Sequence, residues 1–213
     1  MRQVLADLWE TRTDSPFPGL TTHAYLWTGS NALFYSTASD ADFEAIAELG
    51  GVADQYLSHR DEAGPMLKRI ADRFGSRLHA PSLELADVAQ HARVDVPLGG
   101  RHVDDNGVEV IPSPGHTPGS ICYLVDGAEG SYLLTGDTLY VSDRGVWTAG
   151  FLPGMSDADA LASTLRLLAT LEPDVVISSA FQGESSVHRI EAGRWPDHVE
   201  QALSGLSAGL THR

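Results

Sequence analysis

The sequence predicts a mixed α/β fold. Three observations carry that reading: stretches with apolar residues at helical spacing, short apolar runs of strand length between them, and Gly, Pro or Asp at most boundaries. The chain has 213 residues, 42% of them hydrophobic, and no linker, repeat or low-complexity tract divides it, so residues 1–213 read as one domain. Lys and Arg total 14 against 29 Asp and Glu, a formal net charge of −15. That excess repels phosphate backbones and anionic lipid, which argues against nucleic acid and membranes as partners. Acidic and polar residues interrupt the first seven positions, and no apolar run approaches spanning length. The expected location is therefore the cytoplasm, while oligomeric state leaves no signal.

Residues 24–27 and 32–36 read as a hairpin around residues 28–31, with Gly29 supplying the turn. Asp40 or Asp42 then caps a helix carrying Phe43, Ile46 and Ala47 and stopped by Gly50 and Gly51. Residues 52–57 form a strand leading into His59. Pro65 opens an amphipathic helix through Met66, Leu67, Ile70, Ala71 and Phe74, closed by Gly75, with its N-terminus toward the 59–64 loop. Residues 108–111, 120–125 and 132–134 read as successive strands, and Asp126-Gly127 as the turn between the last two. Ser156 with Asp159 is a capping signal for a helix with Leu161, Leu165, Leu168 and Leu171 on one stripe, ended by Pro173. Residues 175–178 form a buried strand, and a last helix after Pro196 presents Val199, Leu203, Leu206 and Leu210. Cys122, the only cysteine, lies in a strand; it excludes an intrachain disulfide and a cysteine-based zinc knuckle and reads as a buried, inert thiol.

Three apolar runs end in residues suited to hold a metal. They are Leu57-Ser58-His59-Arg60-Asp61-Glu62, Pro114-Gly115-His116-Thr117-Pro118-Gly119, and Leu134-Thr135-Gly136-Asp137. Singly, each has an ordinary explanation: a solvated His-x-Asp loop, a hydrogen-bonded loop histidine, an Asx turn. Their order within one domain is far less common by chance. On these motifs the chain resembles the metallo-β-lactamase superfamily of hydrolases. The resemblance implies a four-layer αββα sandwich in which a His-x-His-x-Asp-His loop, a later His, a bridging Asp and a last His hold one or two metals. Carried over by position, it assigns His59, Asp61, His116 and Asp137 as metal ligands, with Asp61 also catalytic.

The departures from the family pattern all lie among the ligands. A gapless alignment on Asp61 puts His59 at the second histidine of the first loop, Leu57 at the first and Glu62 at the third. Aligning the strand end instead makes His59 the first ligand and needs a two-residue deletion. Both keep Asp61 and both lose histidines. Gln182 stands where the last histidine is expected, a weak oxygen ligand. His188 follows and would substitute only if its loop folds back, although a His before Arg189 in a polar segment is more often exposed. Glu62, Gln182 and His23 are further candidates for the same cavity, His23 having as its commoner role an edge hydrogen bond to a carbonyl. His79, His91, His102, His198 and His212 have no comparable context and read as surface or structural. Trp147 and Phe151, in an aromatic, glycine-rich loop, read equally as substrate wall or packing.

Two imidazoles and two carboxylates suit one divalent ion, zinc, iron or manganese, and the missing histidines weaken a two-metal centre. With the metal, the expected activity is hydrolysis of an ester, thioester or lactone carbonyl of a small-molecule substrate through a metal-bound water. The alternative is a metal-free, catalytically inactive binding or interaction domain on the same fold. Flavin-assisted iron chemistry would need a further module, and an antibiotic-hydrolysing lactamase a fuller histidine set.

Overall fold

The computed structural model describes residues 1–17, 20–183 and 185–211. In chain order the elements are β1 (Arg2–Leu5), β2 (Leu8–Glu10), β3 (Asp14–Phe17), β4 (Leu20–Thr22), β5 (Tyr25–Trp27), β6 (Ala32–Phe34), α1 (Phe43–Glu48), β7 (Asp54–Tyr56), α2 (Pro65–Phe74), β8 (Arg77–Pro81), α3 (Leu85–Val88) and β9 (Val96–Leu98). They continue with β10 (His102–Val103), β11 (Glu109–Pro112), β12 (Ile121–Gly127), β13 (Gly130–Gly136), β14 (Leu139–Val141), β15 (Trp147–Ala149), α4 (Ala158–Leu168), β16 (Val175–Ser178), β17 (Ala180–Phe181), β18 (Val187–Arg189) and α5 (Trp195–Thr211).

Two large sheets dominate, ordered β1-β2-β5-β6-β7-β8-β9 and β10-β11-β12-β13-β16-β18. Alternation along the strands decides what each face meets. Tyr25, Trp27, Phe34 and Tyr56 of the first sheet and Tyr123, Val125, Tyr132, Leu134, Val175 and Ile177 of the second share one core between the sheets. Their strand neighbours point the other way. Leu26 and Leu33 pack with Phe43, Ile46 and Ile70 of α1 and α2, while Cys122, Leu133 and Val176 pack with Leu161, Leu165, Leu168 and Val199 of α4 and α5. The layers therefore run helix, sheet, sheet, helix, the αββα sandwich expected from the resemblance.

Strand direction brings the functional loops to one end. β6, β7 and β8 run parallel, so the chain leaves β7 at that end. β13 and β16 are parallel to each other, and β12 is antiparallel to β11 and β13. The β11–β12 loop and the segments after β13 and β16 thus emerge together. Ile121 N–H donates to Ser58 O at 2.8 Å and stitches the second sheet to the loop after β7.

Several local expectations need correction. The turn of residues 28–31 between β5 and β6 contains Gly29 as expected, where a Cβ would lie 2.5 Å from the Trp27 ring, but its left-handed residue is Asn31, at φ 54°. Asp42 stands at the N-cap of α1, but its side chain makes no capping bond: its carboxylate takes the Met1 amino group at 2.9 Å and Arg12 N–H at 2.7 Å. Asp157, not Ser156, caps α4, accepting from the N–H groups of Asp159 and Ala160. α4 ends at Leu168, before Pro173 acts. α2 runs Pro65–Phe74 as expected, ended by Gly75 in the left-handed region. Cys122 is fully buried, and burial pushes its thiol up to about 11, consistent with an inert role. The Leu210 side chain and His212 lie outside the described residues.

Candidate metal centre

His59 leaves β7 two residues after the fully buried Leu57, in extended backbone, and the turn Arg60–Glu62 follows. Its environment sets its tautomer. Ser58 Oγ donates its one proton to Glu62 Oε1 at 2.5 Å and lies 2.9 Å from His59 Nδ1, so it accepts the Nδ1 proton. That leaves Nε2 facing inward, able to offer its lone pair once a cation displaces its proton. Glu62 also accepts Ser58 N–H at 2.7 Å, so it braces the loop from behind.

His116 sits in the turn between β11 and β12, and its Nδ1–H donates to the Gly150 carbonyl at 2.7 Å, again presenting Nε2 to the interior. Ser156 Oγ, freed from capping, donates to the His116 carbonyl at 2.8 Å. Gly150 has no room for a side chain: a Cβ there would lie 1.6 Å from the Asp137 carbonyl oxygen and 3.3 Å from His116 Nδ1.

Asp137 follows β13. Ser179 Oγ donates to its Oδ1, and its Oδ2 lies 3.5 Å from His59 Nε2 and 3.8 Å from His116 Nε2. The imidazole rings stand nearly perpendicular with centroids 4.8 Å apart. Asp61, its side chain 43% exposed, brings Oδ2 to 3.9 Å from His59 Nε2 at the mouth. Ligand atoms of His59, Asp61 and His116 all lie within 4.8 Å of one another. Asp61 alone of the group lines an open surface cavity of about 340 Å³, together with Arg60, Ala63, Asp87, Gln90 and His91.

Both inward Nε2 atoms are buried and have no hydrogen-bond partner. Unpartnered buried nitrogens are costly, and two aimed at one carboxylate with a second at the mouth fit a divalent cation. Electrostatics agree. Burial opposes charge on His59, but Asp137, Glu62 and Asp61 together outweigh it and push its pKa up to about 9 without a cation. Burial, followed by the neighbouring His59, lowers that of His116.

The structure thus brings His59, Asp61, His116 and Asp137 together and leaves other candidates outside. Glu62 hydrogen-bonds Ser58 behind the ring. The Gln182 N–H reaches Val141 O at 3.4 Å, and among the described residues no hydrogen bond or ion pair joins its side chain to the group. His23 donates from Nδ1 to Thr11 O at 2.7 Å and stacks on Phe181, the edge role noted from sequence. His188 and Trp147 pack edge to face at 5.4 Å, and Trp147 lies in the core beneath α5, which makes packing its role. His79 is buried, hydrogen-bonded to Asp54 at 2.6 Å, hence structural.

Sequence reading missed Ser58, Gly150 and Ser179. Ser179 had one signal, its place directly after β16. Two tyrosines, also unremarked, hold the loops across the sandwich. Tyr35 OH accepts Gly136 N–H at 3.0 Å and donates to Ile177 O at 3.1 Å, while Tyr123 OH donates to Leu57 O at 2.5 Å.

The family model described as Metallo-beta-lactamase superfamily matches residues 53–180, a span that holds all four converging residues. A hydroxyacylglutathione hydrolase of Acidiphilium cryptum (strain JF-5) is 28% identical over 193 residues, covering 86% of this chain and 72% of that protein. Among solved structures, a metallo-beta-lactamase from Pontibacter korlensis superposes with a TM-score of 0.73 at 15% identity, covering 97% of each chain. A metallo-beta-lactamase family protein from Thermus thermophilus superposes with a TM-score of 0.70 at 19% identity, covering 98% of this chain and 82% of that one.

Proposed function

The chain belongs to the metallo-beta-lactamase superfamily, and on that premise we propose that it is a hydrolase using one divalent metal ion to open a thioester, ester or lactone carbonyl of a small molecule. Thioesters come first because a hydroxyacylglutathione hydrolase aligns with 86% of the chain. The observation that carries the reading is the pair of buried, unpartnered Nε2 atoms of His59 and His116 aimed at Asp137 Oδ2.

In this reading His59, His116 and Asp137 hold the ion and Asp61 completes the set from the mouth. Zinc, iron or manganese would supply Lewis acidity there, polarising a carbonyl and acidifying water. The chain's own groups do the rest. Ser58 and Gly150 keep both Nδ1 protons away from the centre, so each imidazole offers only a lone pair. Ser179 holds Asp137 with one oxygen turned inward. Asp61, exposed at the cavity, orients water and accepts its proton as the carbonyl is attacked. Gln182 stands where the family pattern leads one to expect the last histidine, which favours one ion over two. The acidic charge and the absence of any apolar run of spanning length support a small molecule in the cytoplasm over nucleic acid or membrane.

The test is metal analysis of protein purified without chelators, followed by thioester, ester and lactone hydrolysis by wild type, His116→Ala and Asp61→Ala after loading with each metal. We expect about one equivalent of metal and turnover that either substitution removes. Turnover surviving both substitutions would defeat the metal mechanism, and a protein that neither binds metal nor turns over would be the inactive binding domain.

A further inference from the structure

Glu84 lies at the end of the short turn Ser82–Glu84 between β8 and α3, and its side chain is buried, 1% of the residue being exposed. No motif marks it. Its two oxygens go to two different loops. Oε2 accepts Arg60 N–H at 2.7 Å, and Oε1 accepts Gly119 N–H at 3.0 Å. Arg60 lies between His59 and Asp61, and Gly119 lies three residues after His116. One carboxylate therefore spans the loops that carry the two imidazoles, one loop from each sheet.

The contact is built closely on both sides. A Cβ at Gly119 would lie 2.6 Å from Glu84 Cγ and 2.7 Å from its Cδ, so the glycine is what lets the carboxylate approach the backbone. The Arg60 guanidinium is turned to Asp61 and Asp87 instead. A buried carboxylate held by backbone amides alone is an expensive feature for stability's sake, and an apolar side chain would fill the space beneath α3 more simply. What the carboxylate uniquely supplies is a fixed distance between two N–H groups.

We propose that Glu84 is a positioning residue for the metal centre, its carboxylate setting the separation of the His59 and His116 loops so that both Nε2 atoms meet one ion. This rests on the metal-centre reading above. Glu84 touches neither ion nor substrate. Gln at this position keeps the volume but can accept only one of the two amide protons and turns an NH2 group toward the other.

The experiment is titration of metal-free protein with Co2+, read by visible absorption and calorimetry, for wild type, Glu84→Gln, Gly119→Ala and Asp54→Asn. Asp54 is a buried carboxylate at the far end of β7, bound to Arg77 and His79, so its substitution controls for general destabilisation. Glu84→Gln and Gly119→Ala should each weaken Co2+ binding by roughly 10- to 100-fold, the usual range for losing a supporting contact. They should also alter the d–d bands at saturation, while Asp54→Asn changes neither. Should Glu84→Gln fail to fold, Gly119→Ala disturbs the same strap from its other end and must give the same shift. Wild-type affinity and bands in the folded variants would overturn the role of Glu84 and leave the metal centre intact. Failure of wild type itself to bind Co2+ or Zn2+ would remove the centre and this inference together.

Discussion

At the scale of single residues, the centre depends on which ring nitrogen each histidine keeps free. His116→Ala deletes one proposed ligand and leaves the Gly150 carbonyl without its donor, so Zn2+ affinity should fall at least as far as the roughly 10- to 100-fold cost of a lost supporting contact; competition with a chromophoric chelator measures it. His59 makes a separate prediction about pH. Its pKa in the folded, metal-free protein is raised from 6.5 to about 9, so its charge stabilises the fold fully below pH 6.5, and that contribution fades as pH rises through 9. It amounts to something on the order of 3 kcal/mol. Urea unfolding of metal-free protein at pH 6 and pH 9.5 should show the loss, and His59→Asn should flatten it; an equal slope in both proteins would contradict the assignment. Zn2+ competes with the same proton, so its affinity should rise over this range. His59, Asp61, His116 and Asp137 were legible because they lie in the three loops that follow apolar runs. Glu62 was legible as a neighbour but not in its role, because only coordinates show that it reaches Ser58 and not the interior. Ser58, Glu84 and Ser179 act through contacts between distant segments, and their residue types occur everywhere in loops.

At the scale of elements, hydrogen bonds tie the loops to both sheets. Tyr35 joins the end of β13 to β16 through one hydroxyl. Tyr35→Phe strands the buried Gly136 N–H and should cost about 1–3 kcal/mol, with Zn2+ affinity falling alongside because Asp137 is the next residue; unfolding curves with and without Zn2+ separate the two effects. By contrast Asp157→Ala, which removes the α4 cap, should cost about 1 kcal/mol and leave Zn2+ affinity nearly unchanged. Helices α2, α4 and α5 were legible because each presents an apolar stripe several turns long. β1, β2, β8 and β9 were not, since charged residues or prolines break their short runs (RQVL, LWE, RLHAP, VPL), whereas β5 and β6, equally short, are apolar throughout. Asp42 misled for a different reason: an acid before a helix signals a cap, yet a stronger partner, the Met1 amino group, takes its carboxylate.

At the scale of the whole molecule, the sandwich brings segments from residue 58 to residue 179 to one end, and a cation bound there would join both sheets. Among the described residues no helix is long and apolar enough to cross a membrane, and the fold gathers the four ligand candidates at that one end. A ligand that binds only the folded state stabilises it by about 2.7 kcal/mol at a hundredfold excess over its Kd. Metal should therefore raise the unfolding temperature of wild type but not of His116→Ala. The most direct test of the central claim is the metal stoichiometry of protein purified without chelators, measured by elemental analysis alongside thioester turnover by the same samples. The account predicts about one zinc, iron or manganese per chain, with turnover rising in proportion to bound metal and both absent in His116→Ala. Turnover in metal-free protein, or full metal content in His116→Ala, would contradict it.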